Sequence, residues 1–289
     1  MSRVIAVANQ KGGVAKTTTV ASLGVALAEL GRRVLLVDLD PQACLTFSLG
    51  LDPESLDLSV HDVLLGRVSA SVAICATEDG PAILPSTIDL AGAEASLLPR
   101  TGREYVLKSA LEEVADSYDD ILLDCAPSLG VLTINALTAA DEVLIPLQCE
   151  TLSHRGVGQL LDTVLDVQRL TNRSLRVRGV LPTLYDGRTT HARSVVADVA
   201  ERYGLPVLDP PIPKSVRFAE APAAGHSVLV TASRAPGAAA YRDHAAQLLE
   251  VAPTVRRVPE AAGGPAEARV DPAVAPARRE RGALRRVAA

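Results

Sequence analysis

The chain has 289 residues and a net charge of −5; 48% of the residues are hydrophobic, only 2% are aromatic, and there is no Trp. This is enough for one large α/β domain or two small ones with an aliphatic core, and it excludes a uniformly basic nucleic-acid binder, though not a local basic patch. No apolar run approaches the roughly 18 residues of a membrane span, and the apolar start of the chain is too short for a signal peptide.

The first apolar run, Val4 to Ala8, predicts a strand. Asn9-Gln10-Lys11-Gly12-Gly13-Val14-Ala15-Lys16-Thr17-Thr18-Thr19 follows, and then a helical pattern through Val20, Leu23, Leu27 and Leu30 that ends at Gly31. Strand, glycine loop and helix in that order put backbone N–H groups at a helix N-terminus, where phosphate oxygens bind. Gly12 and Gly13 let phosphate approach the main chain, Lys16 reaches the β- and γ-phosphates, and Thr17 places a hydroxyl on Mg²⁺. The strict pattern GxxxxGK(S/T) is not met, because Gln10 and Ala15 stand where its two glycines belong. If Ala15 needs a positive φ, its Cβ crowds the loop.

A second run, Val34 to Val37, stops at Asp38-Leu39-Asp40-Pro41-Gln42. Acidic residues after a buried strand lie on the ligand edge of a parallel sheet; an Asx turn before Pro41 is the bland alternative. Further along come a short helix near Val60–Leu65, a strand at Ala82–Pro85, a helix-like stretch at Ile88–Leu98 and a helix from about Gly102 to Ala115. Asp120 to Asp124 is then a buried strand ending in a carboxylate, followed by Cys125-Ala126-Pro127-Ser128-Leu129-Gly130. An Asp in that place holds a magnesium water opposite Thr17. The remaining expectations are strands at Glu142–Pro146, Arg176–Leu181 and Leu205–Leu208, and helices at Leu152–Leu170, Thr189–Tyr203, Ser215–Ala221 and Ala235–Val251. From Pro253 onward Pro, Ala, Gly and Arg dominate, so residues 1–252 read as the folded domain and 253–289 as a disordered tail with a basic end. The tail is expected to be solubilising, with a DNA- or partner-binding arm as the second reading. Cys44, Cys75, Cys125 and Cys149 form no CxxC pair and read as buried free thiols in a reducing cytoplasm.

Alternating strands and helices predict an α/β fold, a mostly parallel twisted sheet with helices on both faces. Lys11 to Thr18 resembles the deviant Walker A loop of the ParA/MinD ATPases, so the fold is expected to be of the P-loop NTPase type. Asp38 to Gln42 resembles that family's switch I, and Asp124 to Gly130 its switch II. Tyr185-Asp186-Gly187-Arg188-Thr189 and Ile212 to Pro222 resemble segments of ParA/Soj rather than of MinD.

The resemblance implies an ATP-driven switch in which two subunits close face to face around two ATP molecules. Lys11 would reach across to the partner subunit's phosphates. Lys16, Thr17, Thr18 and the amides of Gly12, Gly13, Val14 and Ala15 would hold phosphates in cis, and Pro213 and Ser215 would line the base. Asp40 would position the attacking water, while Thr17, Asp38, Asp40 and Asp124 would serve Mg²⁺. The family's DNA-contacting arginines match Arg188 and Arg217; Lys214, Arg193 and Arg242 are further candidates by charge alone. The implied partners are a second copy of the chain, non-specific double-stranded DNA and a ParB-type centromere-binding protein, with no membrane, in a nucleoid-associated cytoplasmic protein. Two alternatives are a nucleotide-binding scaffold with little hydrolysis and a MinD-like membrane-cycling ATPase.

Overall fold

The computed structural model describes residues 2–150 and 153–250. The expected tail at 253–289 lies outside the described residues. Seven strands form one sheet: β1 (Arg3–Val7), β2 (Val34–Leu39), β3 (Cys75–Ala76), β4 (Ala82–Leu84), β5 (Asp120–Cys125), β6 (Glu142–Gln148) and β7 (Arg176–Thr183). Their order is β3-β4-β2-β5-β1-β6-β7, and every pairing is parallel except that of β3 with β4.

The helices are α1 (Lys16–Glu29), α2 (Cys44–Ser48), α3 (Val60–Leu64), α4 (Ala70–Ala73), α5 (Leu90–Leu97), α6 (Val106–Glu112), α7 (Val131–Ala139), α8 (Ser153–Leu170), α9 (Thr190–Tyr203), α10 (Arg217–Glu220), α11 (Val228–Thr231) and α12 (Pro236–Glu250). The central strands are buried on both sides and send alternate residues to opposite faces. Ala6, Leu35, Val37, Ile121, Leu123, Val143 and Ile145 join a core with α3 and α5 to α8. Ile5, Val7, Val34, Leu36, Leu122 and Leu144 join a second core with α1, α11 and α12. Helices therefore cover both faces, as the alternation of elements predicts.

The details differ in four places. Leu205–Leu208 is no strand; Val207 makes only an isolated bridge to Val180, with Pro206 O accepting from Val180 N. The approach is close because Gly179 carries no Cβ: one built there would lie 2.6 Å from Pro206 O. The stretch from Gly102 to Ala115 breaks into a 3₁₀ turn at Arg103–Tyr105 and the short α6. Ser215–Ala221 shortens to the single turn of α10 before Pro222. α7, between Gly130 and β6, is apolar nearly all round, so it shows no amphipathic period to read.

Candidate functional site: a phosphate loop beside paired carboxylates

β1, β2 and β5 lie side by side, so their C-terminal ends meet at one edge of the sheet. The register sets Val7 against Asp124, and Asp124 against Asp38. The loop Ala8–Ala15 leaves from this same edge and enters α1. Asn9, which the motif reading passed over, anchors the loop: it is buried, its Nδ2 donates to Pro146 O and its Oδ1 accepts from Lys11 N. Thr183 Oγ1 at the end of β7 donates to Val14 O and fastens the loop's other side. Nothing in the spacing of Thr183 announces this contact, because 169 residues separate the two partners.

Lys16 is 7% exposed, and its ammonium donates to Lys11 O at 3.2 Å. Burial lowers its pKa, while Asp124, Cys125 and Asp40 act in the opposite direction. Gly13 has φ 72°, as a left-handed glycine in such a loop should. Ala15 has φ 66° and ψ 35°, so the left-handed requirement suspected from the sequence is met by a residue with a Cβ. Ala43 in the loop after β2 (φ 50°) and Leu184 after β7 (φ 48°) share this conformation. They are the only non-glycine residues with positive φ among the described residues, and all three lie on loops around one sheet edge. Strained backbone gathers at working sites in this way. The variant Ala15→Gly should gain about 0.5–1 kcal/mol of stability after glycine's greater unfolded-state entropy is deducted, which is about 1–3 °C in the unfolding midpoint. A calorimetric scan showing no gain would mean that Ala15 is unstrained.

The two buried carboxylates are not equivalent. Asp38 Oδ1 accepts from Asp40 N, and its Oδ2 accepts from both N and Oγ1 of Thr46. Thr46 Oγ1 in turn accepts from Ser86 N, and Ser86 Oγ donates to Asp40 O. Asp38 is therefore the post on which the loop after β2 hangs. Asp40 is half-buried, and its Oδ1 accepts from Gln42 N, so the Asx turn is real alongside any chemical role.

Asp124 is 1% exposed, and no hydrogen bond of ordinary geometry reaches either of its oxygens. Burial first and Asp38 second raise its pKa; the Thr17 hydroxyl and Lys16 act against them. The contrast within β5 is direct. Asp120, four residues earlier, is fully buried too, but Arg3 and Arg32 hold both of its oxygens. A buried carboxylate with open lone pairs next to a hydroxyl and phosphate-binding amides suits Mg²⁺, which keeps several waters and takes few protein ligands. Thr17 and Asp124 are the residues that could hold it; Asp38 and Asp40 lie within electrostatic reach of Asp124. No group of three His, Cys, Asp or Glu side chains able to hold a metal ion occurs among the described residues.

The chain returns to the loop through residues far along the sequence. Tyr185 N donates to Ile212 O, Lys214 N donates to Tyr185 O, and Tyr185 bridges to Pro213. Pro213 is thus paired two residues beyond the Thr183 contact to Val14. Ser215 Oγ accepts from Arg217 N. The same pairing collects basic residues. Lys214 is exposed and within electrostatic reach of Asp186 and Glu150. Arg188 is 91% exposed and paired with Asp186; Arg217 is exposed and paired with Glu220. Arg193 is exposed in the first turn of α9. Arg242 stands apart: both Nε and Nη2 bind the Glu29 carboxylate, and Nη1 donates to Ser233 O, which makes it a brace between α12 and α1.

A family model described as an AAA domain matches residues 2–177. The sporulation initiation inhibitor protein Soj of Bacillus subtilis is 45% identical over 249 residues, covering 86% of this chain and 98% of Soj. The chromosome partitioning protein ParA of Caulobacter vibrioides is 43% identical over 242 residues, covering 83% of this chain and 91% of ParA. The chain belongs to the ParA/Soj family of partitioning ATPases. Crystal structures from Mycobacterium smegmatis, 60% identical with a TM-score of 0.79, cover 86% of this chain and 95% of theirs. These are structures of a protein named cobyrinic acid a,c-diamide synthase, with ADP and magnesium in one and an ATP analogue and magnesium in the other. Among the described residues, no helix is long and apolar enough to cross a membrane.

Proposed function

We propose that this ParA/Soj-family chain is an ATP- and Mg²⁺-dependent switch that pairs with a second copy, binds double-stranded DNA without sequence preference, and partitions a chromosome or plasmid with a ParB-type protein in the cytoplasm, on the nucleoid. The observation that carries the nucleotide part is Asp124, whose buried oxygens take no hydrogen bond of ordinary geometry and lie within reach of the Thr17 hydroxyl and the Lys16 charge. The loop amides and Lys16 bind the phosphates, and Thr17 and Asp124 hold the metal. Magnesium, when bound, offsets phosphate charge. Asp40 orients the attacking water, and Pro213 and Ser215 line the base. Lys11 serves the partner subunit's phosphates, where a fixed cation acts on charge that develops in the transition state.

The DNA part rests on Arg188, Lys214 and Arg217, with Arg193 beside them. One copy offers few charges; pairing two patches raises the affinity through effective concentration. Hydrolysis, slow alone and stimulated by the ParB-type protein, then separates the subunits and releases the DNA.

The test is fluorescence anisotropy of a random-sequence duplex titrated with the protein in ATP–Mg²⁺ and in ADP–Mg²⁺ at two salt concentrations. Tight, salt-sensitive binding is expected only with ATP. Arg217→Glu should abolish it and leave ATP-dependent dimerisation intact; each phosphate contact removed lowers the salt slope by about 0.9. Loss of both properties would make Arg217 structural. DNA binding in neither nucleotide would sink the proposal and favour the scaffold or membrane-cycling readings.

A further inference from the structure

Lys11 does not point freely into solvent. Its ammonium lies 2.5 Å from Glu150 Oε2, just beyond the end of β6. Lys11 N donates to the side-chain Oδ1 of Asn9, and a Cβ built on Gly156 of α8 would lie 3.0 Å from that oxygen, so α8 approaches closely there and the backbone beneath Lys11 is held. Glu150 is equally placed: its N donates to Gln148 O, and its Oε1 accepts from Gln148 Nε2. The ion pair therefore joins two anchored segments, one from the phosphate loop and one from the loop after β6.

We propose that Glu150 is a positioning residue for Lys11: a carboxylate that occupies the lysine in cis as a phosphate would occupy it in trans, and so sets how readily two copies pair. The proposal rests on the trans role of Lys11 given above. The chemistry is an exchange of anions. The ammonium has three N–H donors, but its charge is partly neutralised while it holds Glu150 at contact distance, so the carboxylate competes with a partner's phosphate for it. The pair is also a weak one. Lys11 is 30% exposed and Glu150 is 55% exposed, so solvent and salt screen them. A triphosphate, with more charge and more acceptors than one carboxylate, displaces Glu150, whereas a weaker anion does not. Lys214, within electrostatic reach of Glu150, leaves the released carboxylate a second cation nearby.

The test uses the full chain and the variant Glu150→Gln. First, amine acylation read by mass spectrometry in ADP–Mg²⁺ should label Lys11 more in the variant, with Lys108 unchanged as the internal reference. Second, sedimentation in a slowly hydrolysed ATP analogue and Mg²⁺ should show a tighter dimer. An exposed pair of this kind is worth about threefold per site, so two per dimer give about tenfold in the dissociation constant. Third, that difference should shrink as salt is raised. An altered fold would shift the unfolding midpoint but would leave the Lys11-to-Lys108 labelling ratio without a specific change. Unchanged labelling, or a dimer no tighter than wild type, overturns the proposal. A weaker dimer would make Glu150 an interface contact and overturns it as well. If the wild-type chain itself fails to pair with the analogue, the parent reading of Lys11 falls; the labelling result still tells whether Glu150 holds the lysine.

Discussion

Lys16→Ala is expected to lose nucleotide binding. In the ParA/Soj family chain the Lys16 ammonium is almost fully buried, within reach of the charges of Asp124 and Asp40, and it donates to the Lys11 carbonyl. A charge-assisted bond to a phosphate is worth about 1.5–3 kcal/mol, and this lysine can reach two phosphates, so the loss should be at least about a hundredfold in affinity. The same substitution removes the cation that tempers a buried carboxylate, so some loss of stability should accompany it. Lys16→Gln, which keeps most of the volume, separates the two effects. Calorimetric titration with ADP–Mg²⁺ is the measurement. A folded variant that binds within tenfold of wild type would show that Lys16 is not the phosphate ligand.

Lys11→Ala should behave differently. Its partner Glu150 is exposed, so removing the pair costs the fold only about 0–1 kcal/mol. ADP affinity should stay within a few-fold of wild type. ATP-dependent dimerisation should disappear, and turnover should fall by about a hundredfold to a thousandfold, the usual cost of losing one transition-state donor. Light scattering in ATP–Mg²⁺ and a phosphate-release assay check both halves. A Lys11→Ala protein that pairs normally with ATP would refute the trans role. The two lysines, five residues apart on one loop, are thus distinguished by which step each variant loses.

The sequence by itself determined the sheet's core, the phosphate loop, and the carboxylates at the ends of β2 and β5. These features are local. An apolar run, a glycine loop and a helical period are written within about 20 residues, and an acidic residue that stops a buried strand must emerge at the sheet edge. What could not be read is what requires two distant segments to meet. α7 was hidden because a helix apolar all round has no period. Leu205–Leu208 looked like a strand by its apolar residues, yet it makes a single bridge. The inequality of Asp38 and Asp124 came only from the fold, since Thr46 donates two hydrogen bonds to one of them, while the other has no hydrogen bond of ordinary geometry and lies within reach of Thr17 and Lys16. Arg188 and Lys214 became neighbours, and Arg242 a brace, through the pairing of Tyr185 with Pro213 and the packing of α12 on α1. The Lys11–Glu150 contact spans 139 residues. Charge alone cannot select such partners along a chain, because an exposed ion pair is too weak to dictate where its two ends fold; the buried sheet and its helices decide that, and the charges meet where those elements carry them.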